Sequence, residues 1–168
     1  IFSHSILKKV ILEEKIADLK KILQRVNELF LENLKGKDEF LVNEGMAISI
    51  LEFNKLSNEF RVAGVQQSIF LLADSEITEF VFNSNPINSL INNNQYEIKE
   101  IFPKKRDTII FFTDGIIDQK GGGEKRRLMK AGFKNWILSS EDRTYEYYSK
   151  KLDEWKLLNE QVDDILIF

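Results

Sequence analysis

The chain has no cysteine and a single histidine, His4. Without thiols there is no disulfide framework and no thiolate metal site. With one imidazole, the usual zinc sites of nitrogen and sulfur are excluded too. Any metal held here must take oxygen ligands, which points to Mg²⁺, Mn²⁺ or Ca²⁺. No apolar run approaches the ~18 residues that a membrane span needs. An excess of positive charge is also missing. The net charge is −3, which argues against general binding to nucleic acid or to an anionic membrane. The opening lacks a basic leader and a small-residue cleavage site, so it is not a signal peptide. It starts at Ile1 rather than methionine, and the expectation is a sequence that begins inside a longer protein. What is present is 43% hydrophobic content over 168 residues, enough for one packed domain.

Helical spacing opens the chain. Ile6, Leu7, Val10 and Ile11 mark one stripe over residues 2–14. Asp18 is placed to N-cap a second helix. Leu19, Ile22, Leu23, Val26, Leu29, Phe30 and Leu34 carry it, and Gly36 falls just past its end. The pattern changes at Phe40. Residues 46–51, 59–65, 68–72, 76–83 and 96–102 alternate or run apolar between short turns, as in an antiparallel meander. Residues 83–95, rich in asparagine, read as a solvated loop. Residues 119–124 contain Gly121-Gly122-Gly123 and read as a mobile loop. Neither G-x-x-x-x-G-K-[ST] nor G-x-G-x-x-G occurs there, so phosphate cradling is not indicated. Lys125-Arg126-Arg127 reads as the start of the next helix. Met129, Phe133, Trp136 and Ile137 form its core stripe. Tyr145, Tyr148, Leu152, Trp155 and Leu158 form another. Two helices, five or six strands, two helices and a last strand predict an α+β layered domain.

The centre of the chain is Arg106-Asp107-Thr108-Ile109-Ile110-Phe111-Phe112-Thr113-Asp114-Gly115. Its unbroken apolar run predicts a buried strand that delivers Asp114 at its end. A carboxylate beside so apolar a strand is expected to need a compensating group. The blander reading is a strand-ending Asp-Gly turn. Residues 162–168 repeat the theme in reverse, with Asp163-Asp164 entering a strand. If the two strands are antiparallel neighbours, Asp114 and Asp163 meet at one sheet edge. They then repel unless a proton or a cation sits between them, and a hard divalent cation is a natural solution.

These residues resemble the SpoIIE-type branch of the Mg²⁺/Mn²⁺-dependent, type-2C-like (PPM) protein serine/threonine phosphatases, in its C-terminal portion. Arg106 to Gly115 resembles the family's "gDtl-l-TDG" segment. Ile116-Ile117-Asp118-Gln119, then Gly121-Gly122, resembles "iDq-GG". Glu154-Trp155-Lys156 and Asn159-Glu160-Gln161-Val162-Asp163-Asp164-Ile165 resemble a closing "EW…NEQVDDI". Glu44-Gly45-Met46-Ala47-Ile48 resembles "DGMDiaL", and Phe60-Arg61-Val62-Ala63-Gly64-Val65 resembles "l-fAGa".

The resemblance implies residues 1–168 of a single α-β-β-α sandwich, antiparallel sheets flanked by helix pairs, with the N-terminal strands missing. It implies a phosphoprotein phosphatase using two Mn²⁺ or Mg²⁺ ions in the complete domain. Carried over, Asp114 and Asp163 match metal ligands, Asp163 being chosen as the first of its pair. Gly115, Asp118 and Asp164 are expected to stand behind or beside those ligands without binding the ions. Read from the residues themselves, Lys125, Arg126 and Arg127 form a solvated face or, alternatively, a contact for a phosphorylated substrate or partner. The expected partners are a phosphorylated regulatory protein of the anti-sigma-factor-antagonist type, the N-terminal remainder of the domain and an upstream sensor domain. A homodimer is compatible. Nucleic acid and membrane contact by this segment are not expected. The expected location is cytoplasmic, with any membrane anchor upstream.

The chain departs from the pattern in three places. The family's N-terminal Asp, Asp-Gly and Gly-His-Gly are not in it. Glu44 and Ala47 stand where the subgroup has Asp, and Gln66-Gln67-Ser68 stands for His-Asn-Pro. The segment alone is therefore expected to be inactive. The rival expectation is a degenerate phosphatase-fold module that binds a signalling partner without catalysis.

Overall fold

The computed structural model describes residues 2–34, 45–57, 59–82, 86–87, 96–140 and 142–168, with the side chains of Phe2 and Leu34 excepted. The expectations for Gly36, Phe40, Glu44 and most of the asparagine-rich loop lie outside these residues. In chain order the elements are helix α1 (Phe2–Lys8), a π-helical turn (Lys9–Glu13), α2 (Leu19–Leu34), strands β1 (Ile48–Asn54), β2 (Glu59–Val65), β3 (Gln67–Ala73), β4 (Glu76–Phe82), β5 (Ile98–Ile101) and β6 (Thr108–Ile110), then α3 (Asp114–Asp118), β7 (Lys120–Gly121), β8 (Arg126–Arg127), α4 (Met129–Leu138) and α5 (Tyr145–Lys156). They divide into two compact units. One is Ile1–Ser68 with Phe80–Pro103, the other Ile69–Glu79 with Lys104–Phe168. This is the predicted α+β class, a helix pair against an antiparallel sheet in each unit.

The first unit's sheet has the order β1-β2-β5. Ile50 lies opposite Ala63, and Ala63 opposite Ile98. Alternation sends these side chains to one face, where they join Ile6, Val10, Leu19, Leu23 and Val26 in one core. The Asp18 cap forms as expected: its Oδ1 accepts from the amide of Lys21 at 3.0 Å. The first helix departs from expectation. The amide of Glu14 bonds the carbonyl of Lys9 at 2.8 Å, and that of Ile16 reaches Val10. This wider turn keeps Val10 buried and rotates Ile11 out of its stripe, leaving it 40% exposed.

The second unit pairs β3 with β6, Phe70 opposite Ile110, with β4 on the far side of β3. Phe70, Phe112, Phe133 and Tyr148 form a chain of ring contacts at its centre. The centroids are 4.7 Å apart for Phe70–Phe112, 5.1 Å for Phe112–Phe133 and 6.1 Å for Phe133–Tyr148. Such tilted and edge-on pairs add to the area that the rings bury. Glu79 on β4 takes both Lys130 and Lys134 of α4 at 2.6 Å, and Lys134 lies 5.0 Å over the Phe70 ring.

Three expectations fail in this unit. Lys125-Arg126-Arg127 does not begin a helix. Arg126 and Arg127 pair with Gly121 and Lys120 in a two-stranded hairpin, which replaces the expected mobile loop. Met129, expected in the core, is 57% exposed, and Leu128 is buried in its stead. Tyr145 and Leu158, expected on the α5 stripe, are exposed. The helix stops at Lys156, and Leu157 turns the chain at φ 52°.

In the first unit, Arg25 on α2 grips Glu14 with two bonds, at 2.9 and 3.1 Å, and reaches Glu28 at 3.0 Å. The guanidinium bonded to Glu14 holds that carboxyl below the ordinary glutamate range. A depressed folded-state value contributes stability above the unfolded value of about 4.3, and loses it as pH falls through the lower folded value. Glu14→Gln should therefore lose that contribution at neutral pH and flatten the acid limb, so that the two proteins converge in stability at low pH. Denaturant midpoints between pH 3 and 7 at low salt test this, and unchanged acid dependence would contradict it.

Candidate metal centre at a sheet edge

The edge is built from residues 111–113, which follow β6, and from the end of the chain. Phe111 and Phe168 exchange both backbone bonds, at 2.9 and 2.8 Å. The amide of Thr113 donates to the carbonyl of Leu166 at 3.0 Å. Phe112 lies opposite Ile167 in an antiparallel bridge. The antiparallel neighbourhood on which the two-carboxylate expectation depended is thus present. The Thr113 hydroxyl then extends the pairing by one step. Oγ1 donates to the carbonyl of Asp164 at 2.8 Å and accepts from the amide of Leu166 at 2.9 Å.

Gly115 sits one residue beyond Asp114. A Cβ there would lie 2.4 Å from the carbonyl oxygen of Asp164 and 3.0 Å from its carbon. The glycine is required by close backbone approach. It brings the start of α3 against residue 164, so Asp114 and the Asp163-Asp164 pair occupy the same end of the strand pair.

One premise is corrected. Asp114 is exposed, as are Asp163 and Asp164. Phe112 and, on α3, Ile116 are buried, while the carboxylate of Asp114 at the start of α3 is exposed. Asp114 therefore incurs no burial cost, and the case for a cation rests on two carboxylates sharing one edge. Asp163 is shaped locally: its Oδ1 accepts from the amide of Asp164 at 2.7 Å, and its carbonyl accepts from the Gln161 side chain at 2.8 Å. Asp118 is drawn toward the hairpin, 3.0 Å from Nη1 of Arg127. Arg126 pairs with Glu124, and Lys125 occupies the hairpin turn at φ 51°. Two of the three expected partner-binding cations thus already face a carboxylate. Among the described residues no three acidic or histidine side chains converge as a metal cage.

Sequence reasoning gave Gln119 no role. It is 0% exposed. Its Nε2 donates to the carbonyls of Lys120 at 2.9 Å and Glu160 at 3.1 Å. Its own carbonyl accepts from the amide of Leu128 and from Nε1 of Trp155, both at 3.0 Å. Trp155 in turn covers Gly121, where a Cβ would meet the indole at 2.5 Å. Gln119 and Trp155 both stand inside quoted motif stretches. A lone amide side chain leaves no mark in hydrophobic periodicity, so nothing else in the sequence singles it out.

Gly115→Ala should destabilise the chain by ~1–3 kcal/mol, because backbone must move to admit the methyl. Thr113→Val should lose less, about 0.5–1.5 kcal/mol, because its two bonds are exposed and water can replace the hydroxyl. Asp114→Asn should stay within about 0.5 kcal/mol. Equilibrium denaturation measures all three. A wild-type midpoint for Gly115→Ala would show that the close approach is absent.

Comparison with solved structures places this fold. The chain aligns over 98% of its length with the SiaA-PP2C domain of Pseudomonas aeruginosa, at TM-score 0.79 and 19% identity, covering 64% of that chain. It aligns over 98% with the PP2C phosphatase domain and a regulatory-domain fragment of SpoIIE from Bacillus subtilis, at TM-score 0.76 and 15% identity, covering 47% of that chain. RsbX in complex with magnesium matches at TM-score 0.60 and 17% identity, over 98% of this chain and 70% of its own. Identities this low speak to fold, which is of the PP2C type. The chain spans less than two thirds of the first two structures. No curated protein matches it. The profile of the family described as Stage II sporulation protein E (SpoIIE) matches residues 3–168, nearly the entire sequence, and the chain belongs to that family.

Proposed function

We propose that the complete protein is a metal-dependent phosphoprotein phosphatase acting on phosphoserine or phosphothreonine in bacterial regulatory signalling. Residues 1–168 are then the C-terminal portion of its one phosphatase domain. The observation that supports this is the antiparallel pairing of residues 111–113 with 166–168, which sets Asp114 and Asp163-Asp164 at one sheet edge in a chain of the SpoIIE family.

The donor set suits the group. Both side chains offer carboxylate oxygens, the ligands that Mg²⁺ and Mn²⁺ prefer. RsbX, of the same fold, binds magnesium. Asp114 and Asp163 would hold part of the coordination, with Gly115 and Asp164 fixing the backbone behind them and Asp118 beside them. When bound, the ions activate water and neutralise charge on the phosphoryl oxygens. Two aspartates do not complete a two-ion site, so the remaining ligands would come from the N-terminal remainder of the domain. The segment by itself is then inactive. The substrate would be a phosphorylated regulatory protein of the anti-sigma-factor-antagonist type, and an upstream sensor domain would govern access to it. Its location would be cytoplasmic. Among the described residues no helix is long and apolar enough to cross a membrane.

A second reading has specific support. Ala47 stands where an Asp is expected, and Gln66-Gln67 replaces the expected His-Asn. These favour a phosphatase fold that binds a partner without catalysis. Assay of the complete protein with Mn²⁺ on a phosphoserine protein separates the two. Asp114→Asn and Asp163→Asn should each lower turnover by at least ~100-fold, since even residues that only support ligands cost about 10–100-fold. A parent without Mn²⁺-dependent turnover would favour the binding module. Turnover untouched by both substitutions would remove these residues from the site.

A further inference from the structure

We infer that Gln119 is a positioning residue for the divalent-cation edge: it fixes where Asp163 stands relative to Asp114, and through that the affinity of the edge for the ion. This rests on the metal-site reading above.

Gln119 follows α3 directly, so it is anchored to the end of the helix that Asp114 begins. Its Nε2 reaches across 41 positions to the carbonyl of Glu160, three residues before Asp163. The other end of that segment is held by Thr113 Oγ1 on the carbonyl of Asp164 and by the contact of Gly115 with the same group. Residues 160–164 are thus bracketed twice, from just before α3 and from just after it. Asp163 lies between the brackets. The base of the Gln119 side chain is itself fixed, because its carbonyl is bonded by Leu128 and Trp155.

The amide orientation is determined. Turned over, Oε1 would face the carbonyl oxygens of Lys120 and Glu160. In the orientation that satisfies both carbonyls, Oε1 is buried and has no hydrogen-bond partner among the described residues. An apolar residue of similar shape would spare that acceptor but would leave the carbonyls of Lys120 and Glu160 without their donor. What the glutamine adds is the tie to the Glu160 backbone.

The test uses the complete protein carrying Gln119→Leu or Gln119→Met, which keep the approximate volume and remove both donors and the orphaned acceptor. Two quantities are read: the unfolding midpoint without metal, and Mn²⁺ affinity from the electron paramagnetic resonance signal of free Mn²⁺. The expected result is an affinity weaker by ~10–100-fold in protein that remains folded. A purely structural role would move the midpoint and leave the affinity of the folded protein intact, and that result overturns the inference. If neither variant folds, Gln119→Asn keeps the amide but stops one methylene short of Glu160, and wild-type affinity there overturns it equally. Asp163→Asn runs in parallel. Mn²⁺ binding unchanged by Asp163→Asn defeats the metal-site reading. Binding lost in Asp163→Asn but intact in the Gln119 variants defeats this inference alone.

Discussion

The Thr113 hydroxyl bonds twice to a segment more than fifty residues away, donating to the carbonyl of Asp164 and accepting from the amide of Leu166. That contact and the three backbone bonds beside it hold the candidate edge together, and they must offset the entropy of closing a long loop. For about fifty residues the length-dependent part of that cost is roughly 3–4 kcal/mol. Five hydrogen bonds at about 1 kcal/mol net each are of the same size, so they do not decide the matter. The apolar side chains beside the pairing, which belong to the second unit's core, do. Phe112 and Ile116 are almost wholly removed from water, at about 1.5–3 kcal/mol each. The hydrogen bonds then choose the register, and burial supplies the margin.

That margin depends on the aromatic chain of the second unit. Phe112 contacts both Phe70 on β3 and Phe133 on α4, and Phe133 contacts Tyr148 on α5. The strand that delivers Asp114 is therefore fixed from both the sheet and the helix side. Glu79 reinforces the arrangement by drawing Lys130 and Lys134 of α4 onto β4. Its side chain is only 19% exposed, so these bonds are screened less than surface pairs. The pairs of the hairpin, Arg127 with Asp118 and Arg126 with Glu124, are open to solvent and contribute little to stability.

The parts of this fold that were legible in the sequence are those where one periodicity runs without interruption. The α2 stripe, the Asp18 cap, β2 over residues 59–65 and β4 all appear where spacing put them. Asp114 and Asp163-Asp164 were legible as a pair because each stands where an apolar run meets carboxylates, although the expected strands are cut short: β6 ends at Ile110, and the closing residues make one isolated bridge, Phe112 to Ile167, rather than a last strand. The failures have physical causes. A π-turn changes the angle per residue, so Ile11 counted on the helical wheel as core but faces water. The hairpin of residues 120–127 is two residues wide on each side, too short for alternation to register. It is held instead by Trp155, whose indole fits only because Gly121 has no side chain. Gln119 was invisible for the same reason: its role lies in single bonds to carbonyls distant in sequence, and those follow from the fold.

The candidate edge also separates what stabilises the chain from what would do chemistry. Its aspartates are exposed, so repulsion between them is screened by water and salt. The fold can therefore hold two carboxylates at one edge without burying either. Their placement is set by groups that carry no charge: a hydroxyl, a glycine and a buried amide, all acting on the backbone of residues 160–164. If the edge holds a cation, as proposed above, its backbone would be positioned before the ion arrives. Binding would then draw on the attraction between cation and carboxylates with little of it diverted to organising the backbone, which is the condition under which two exposed aspartates would contribute usefully to a shared metal centre.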